Sequence, residues 1–213
     1  MIQMELIAEV KESVRKRFEN DSTGHDYWHM ARVVHISEQI ATKEGADVFQ
    51  CQLAGWIHDL FDHKLCEHPE EEKNKMSNFL LGRGLSYEEV KKTMNIIEEV
   101  SFSKNKTPPT TIEGKVVQDA DRLDAIGAIG IARTFAYGGA KGQLIYNPGS
   151  ETQHIEGLHL QGSASTSIQH FYDKLLKLKD LMNTKYGYQL ACERHQFMDG
   201  FLKQFYKEWP TNL

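Results

Sequence analysis

The dipeptide His-Asp occurs twice in this 213-residue chain, at His25-Asp26 and His58-Asp59, and the second closes the apolar run Leu53-Ala-Gly-Trp-Ile57. A histidine and an acid at the end of such a segment are costly to bury unless they meet an opposite charge or a metal. Imidazole nitrogen with carboxylate oxygen suits Mn, Fe, Zn, Co or Ni better than Ca or Mg alone. The dipeptide alone is weak evidence, because a chain with ten histidines produces one by chance. The rest of the set strengthens it. Upstream, His29 opens the run His-Met-Ala-Arg-Val, with Arg32 one turn further along the same helical face. Downstream, Val116-Val-Gln-Asp-Ala-Asp-Arg-Leu-Asp124 puts Asp119, Asp121 and Asp124 into an otherwise apolar helix. Asp121 and Asp124 share a face at i, i+3, as do Asp59 and Asp62. As four ligands from three helices, His29, His58, Asp59 and Asp121 would enclose one divalent metal and leave coordination room for water and substrate.

A competing reading starts from His25-Asp-Tyr-Trp-His29, one methylene away from the H-E-x-x-H pattern of zinc peptidases. It places Asp where those enzymes need Glu and leaves residues 58–59 and 119–124 without a role. His25 then caps or buttresses its helix or touches substrate. His35, His68, His170 and His195 read as surface or packing residues. His154 and His159 fall in a glycine-rich stretch and fit a lid over phosphates as well as an idle loop.

The elements that must position these residues read almost entirely as helices. Residues 3–19 carry Met4, Ile7, Val10, Val14 and Phe18 at helical spacing. A second helix spans 26–43 and ends at Gly45, a natural left-handed cap. A third, more apolar one runs from Ala46 to about Asp62. Pro69 opens a polar helix stopped by Gly82-Arg-Gly84. Ser86-Tyr-Glu-Glu89 is a capping box for a helix reaching about Val100. The next runs from about Thr111 to Ile126 and towards Phe135, with Gly127 and Gly130 marking close packing or a bend. Residues 138–162 lack periodicity, and helices over 165–183 and 188–207 complete the chain. Trp28, Trp56, Phe61, Phe171 and Tyr172 fit core positions, and Lys174, Lys177 and Lys179 fit a solvated face. With no alternating strand pattern, the fold class is all-α and the expectation is one domain.

Composition narrows the function classes. Twenty-five Lys+Arg against 30 Asp+Glu give a net charge of −5, and no basic block exists to bind nucleic acid or a membrane surface. No segment approaches the roughly 18 apolar residues of a membrane span. The acidic, amphipathic start has no signal-peptide core. Cys51, Cys66 and Cys192 are too few and too scattered for a disulfide frame or zinc knuckle. These features fit a cytoplasmic protein.

The series His29…His58-Asp59…Asp121 resembles the H…HD…D signature of the HD-domain metal-dependent phosphohydrolases. Within that family the chain is similar to the small bacterial hydrolases of the YpgQ/YedJ type, which resemble nucleotide pyrophosphohydrolases. The likeness rests on residues 25–33, 56–60 and 119–133 and extends to Gln169-His-Phe-Tyr-Asp-Lys-Leu175, so it covers nearly the whole chain. It implies a single HD-fold helical domain over 1–213. The metal-site core would lie at about 24–126, and the loop and helices of about 138–207 would cover the site. It implies Asp121, followed by Arg-Leu, as the fourth ligand, leaving Asp119 and Asp124 behind the ligands or facing substrate. Asp62 sits where related enzymes carry a catalytic acid, commonly Glu. A dinuclear variant of the site needs more histidines between His58 and Asp121, and only His63 and His68 lie there, so one metal is expected.

The implied chemistry is a metal, Mn first by ligand type, that lowers the pKa of water and polarises a phosphoryl oxygen for in-line attack. Asp62 is the candidate to orient the water or exchange its proton, and Asp124 is a second catalytic candidate. Arg32, His63, Lys64 and Arg133 are candidates to neutralise phosphate, whereas Arg122 is as well placed to pair with a neighbouring acid. The resemblance points to a (deoxy)nucleoside triphosphate substrate cleaved to monophosphate and pyrophosphate. The alternatives are a 5′-nucleotidase acting on monophosphates, an alarmone hydrolase, and a catalytically silent nucleotide-binding module. The sequence carries no sign of oligomeric state.

Overall fold

The computed structural model describes residues 2–18, 26–62, 66–100, 107–148 and 166–210. The fold class is all-helical, as the periodicity predicts, and among these residues there are nine α-helices and no strand: α1 Ile2–Phe18, α2 Tyr27–Glu44, α3 Val48–Ile57, α4 Pro69–Gly82, α5 Tyr87–Val100, α6 Ile112–Asp124, α7 Gly127–Ala140, α8 Ser167–Asp173 and α9 Lys185–Glu208. None of them is long and apolar enough to cross a membrane. The chain falls into two compact units, Met1–Asp124 with Met182–Leu190, and Ala125–Leu181 with Ala191–Leu213.

In the first unit, α2 packs along α3 and α6, and α3 also meets α1 and α5. The fully buried Met30, Val33 and Ile40 of α2 face the fully buried Leu53, Ile57, Val116, Val117 and Leu123 of α3 and α6. The local signals place the helix ends. Asp26 Oδ1 accepts from His29 N at 2.7 Å at the start of α2, and Gly45 closes that helix with φ 71°. Ser86 and Glu89 exchange the reciprocal bonds of a capping box. Polar ties also cross between the helices. Thr93 Oγ1 donates to Gln50 Oε1 at 2.8 Å, and Glu113 on α6 accepts from Lys92 and from the Asp47 amide.

Three elements before α9 differ from the sequence reading. The third helix ends at Ile57, so His58 to Phe61 form a turn and not its last helical residues. The sixth stops at Asp124, and a new helix begins at Gly127, whose φ of 76° a side chain would resist. The segment read as one helix over 165–183 splits into α8 and a 3₁₀ helix, Leu175–Leu181. Trp28 also departs from its expected core position, at 67% exposed, because the buried stripe of α2 runs through His29, Met30 and Val33. The second unit is built around aromatic contacts, among them Phe171 stacked on Phe201 at 5.8 Å and Trp209 on Phe205 at 5.4 Å.

Candidate metal centre

Three helices of the first unit bring the predicted ligands to one point. His29 lies in the first turn of α2, His58 caps the C-terminus of α3 with Asp59 following it, and Asp121 lies in the last turn of α6. The packing of α2 against both α3 and α6 is what makes the three ends converge. His29 Nε2 lies 3.4 Å from Asp59 Oδ2 and 3.5 Å from Asp121 Oδ1. His58 Nε2 lies 3.5 Å from Asp59 Oδ1 and 3.9 Å from Asp121 Oδ1. One atom each from His29, His58 and Asp121 falls within 4.8 Å of the others. Both imidazoles are buried, while Asp59 and Asp121 have side chains 14% and 31% exposed, so the centre opens to solvent on its carboxylate side.

Each ring is oriented from behind. Carboxylates and carbonyls accept only, so the Nδ1–H of His29 donates to Asp124 Oδ2 at 2.7 Å, and that of His58 to the Gly55 carbonyl at 2.8 Å. Both tautomers therefore turn Nε2 toward the carboxylates. Among the described residues, buried His58 Nε2 has no hydrogen-bond partner. A buried lone pair of that kind, facing two acids, fits a divalent cation, and the mixed N/O donor set suits Mn and its neighbours. In the metal-free protein the acids act on the other ring as well. Burial works against a charged imidazole, but the Asp124 hydrogen bond, the Asp59 contact and the Asp121 charge outweigh it. The His29 pKa rises from its ordinary 6.5 to about 9.

The remaining site candidates fall in several places. Asp124, expected as a catalytic group, is 1% exposed and lies on the Nδ1 side of His29, away from the ligand atoms. Arg32, expected on phosphate, donates to it from Nε at 2.6 Å and Nη2 at 3.0 Å. Asp124 thus meets the imidazole of His29 and the guanidinium of Arg32 together, which fixes the orientation of the His29 ring. Asp119 is fully buried and faces neither the ligands nor solvent. It accepts from Asn183 and Thr184, and although those donors oppose it, burial pushes its carboxyl upward. Arg122 is half-buried with the charges of Asp119 and Asp121 nearby.

Asp62 is half-buried at the end of the turn after Asp59, its amide donating to the Asp59 carbonyl at 3.2 Å. Arg133 is half-buried on α7 of the second unit. His63 and Lys64 lie outside the described residues, as do His25, His154 and His159. Two contributors escaped the sequence reading. The Gly55 carbonyl leaves no mark in the side-chain pattern. Asn183-Thr184 carried a readable helix-start signal, but the last helix was placed to begin three residues too late.

Comparison with known proteins shows the family. The HD domain family model matches residues 27–126, a range that contains His29, His58, Asp59 and Asp121. YpgQ of Bacillus subtilis is 38% identical over 213 residues, covering 99% of this chain and 97% of the relative. The crystal structure of that protein in complex with ADP has a TM-score of 0.81 at 37% identity, covering 99% of this chain and 98% of the other. An HD-superfamily hydrolase from Bacillus thuringiensis is 41% identical with a TM-score of 0.78, covering 99% of this chain and all of the other.

Proposed function

The chain belongs to the HD-domain family, and with it to the metal-dependent phosphohydrolases, and from that premise we propose that it cleaves (deoxy)nucleoside triphosphates to monophosphate and pyrophosphate. The convergence of His29, His58, Asp59 and Asp121 carries the hydrolase reading. The nucleotide reading is supported by the ADP complex of YpgQ, a relative that matches along the whole chain. His29, His58, Asp59 and Asp121 would hold one divalent metal, Mn by ligand type, which would supply Lewis-acid activation of water and polarisation of a phosphoryl oxygen.

The chain's own residues do the rest. Asp124 and the Gly55 carbonyl keep the two imidazole rings aimed at one point. Asp62 takes the proton from the attacking water as its oxygen joins the α-phosphorus and the bond to the β-phosphate bridge breaks. His63 and Lys64, which follow Asp62 in the sequence, are the cations offered to the departing pyrophosphate. Arg32 contributes mainly through Asp124, since two of its donors are committed there.

The test is a product assay by anion-exchange chromatography. Mn²⁺-loaded protein and an Asp59→Ala control are incubated with NTPs, dNTPs, dNMPs and ppGpp. Monophosphate plus pyrophosphate, absent with the control, is the expected result. Orthophosphate from dNMPs would instead make the protein a nucleotidase. No turnover by fully loaded protein would leave the nucleotide-binding module as the better account.

A further inference from the structure

Asp119 is fully buried, yet it receives a dense set of donors from a segment more than sixty residues away. Its Oδ1 accepts from Asn183 N and Asn183 Nδ2, both at 2.8 Å, and its Oδ2 from Thr184 N and Thr184 Oγ1, also at 2.8 Å. Asn183 Nδ2 further donates to Gln118 Oε1 at 3.0 Å. Thr184 Oγ1 in turn accepts from Gly187 N, capping the first turn of α9. The next free amide of that turn, Tyr186 N, donates to Glu44 Oε1 at the end of α2, at 2.6 Å. Carboxylates from α6 and α2, the helices that carry Asp121 and His29, thus share one helix N-terminus. The approach is close enough to exclude a side chain, because a Cβ at Gly187 would lie 2.6 Å from both Asp119 Oδ2 and Thr184 Oγ1.

We propose that residues 183–187 are a working part of the metal centre, a pin that fixes the rotation of α6 through Asp119 and so holds Asp121 at the ligand point. The inference rests on the metal reading above. Asp119 and Asp121 are two residues apart, about 200° around the helix and about 3 Å along it. Gripping the far face fixes the near one. A carboxylate some 6 Å from the axis moves by about 1 Å when the helix turns by about 10°, a displacement large for a ligand set. Asp119 is on this account a positioning residue, acting through Asp121.

The experiment is a Mn²⁺ titration of the full chain by calorimetry, with thermal unfolding of the metal-free protein alongside. Gly187→Ala crowds the pin while leaving every residue of α6 unchanged in sequence, and Thr184→Val removes one donor at nearly constant volume. Both are expected to weaken Mn²⁺ binding by about tenfold or more, within the range of lost outer-sphere support. Thr184→Ser, which keeps the hydroxyl, should restore it. Gly200→Ala, with open space around its Cβ in the same helix, should leave the affinity unchanged. A lower Tm with unaltered Mn²⁺ affinity in the first two variants would reduce the pin to a structural bond and overturn the proposal. Equal weakening by Gly200→Ala would do so too. A wild-type chain that binds no Mn²⁺ would instead remove the metal reading itself, and this inference with it.

Discussion

Asp124 accepts the Nδ1–H of His29 at 2.7 Å with both side chains 1% exposed, so the His29 ring on α2 takes its orientation from an acid at the end of α6. Removing the charge while keeping the shape isolates that dependence. Asp124→Asn is expected to weaken Mn²⁺ binding by roughly 10–100-fold. Calorimetric titration checks it, and unchanged affinity would show that packing alone aims the ring.

The raised pKa of His29 makes metal binding pH-dependent. In the metal-free protein the charged ring is favoured by its carboxylate neighbours, and a raised folded-state pKa contributes stability. That contribution is fully present below pH 6.5 and lost as pH rises through about 9. Coordination requires the Nε2 lone pair, so Mn²⁺ must displace a proton at neutral pH. Apparent affinity should therefore rise with pH until about 9, with close to one proton released from this ring per metal at pH 7. Titrations in buffers of different ionisation enthalpy count the proton. A flat pH profile would mean that His29 is already neutral.

Arg32 distinguishes holding a ligand from binding a substrate. Arg32→Lys keeps the charge but loses the fork that grips both oxygens of Asp124. Metal affinity is expected to fall several-fold while KM at saturating metal stays near the wild-type value. A raised KM with intact metal affinity would return Arg32 to the phosphate.

Asp62 carries the proposed proton transfer. Asp62→Asn should lower kcat by roughly 10²–10⁴-fold without changing Mn²⁺ affinity, the signature of a general base that is not a ligand. Loss of metal binding would make it part of the coordination sphere, and a silent substitution would assign the proton elsewhere.

The all-helical class and the four converging residues were legible because both depend on local pattern, helical periodicity for one and ligand order for the other. Partners that meet only through the fold were not. Arg32 and His29 read as one face of α2, but what that face touches is an acid more than ninety residues later, and spacing within a helix carries no such information. Asp119 and Asp124 looked alike as acids in an apolar helix. The structure separates them by direction, one facing Asn183 and Thr184 and the other facing His29. The overrun of α3 has a local cause: Leu60 and Phe61 are buried and extend the apolar pattern past the point where the backbone has left the helix. Periodicity reports burial, and a buried turn satisfies it as well as a helix does.

The central claim is that His29, His58, Asp59 and Asp121 together hold one divalent metal. Its most direct test is the metal stoichiometry of the purified chain after equilibration with Mn²⁺ and desalting, measured by elemental analysis beside His58→Ala. The account predicts about one Mn²⁺ per wild-type chain and essentially none in the variant, whose fold is checked by its helical circular dichroism. A variant that keeps its full complement, or a folded wild type that retains no metal, would contradict it.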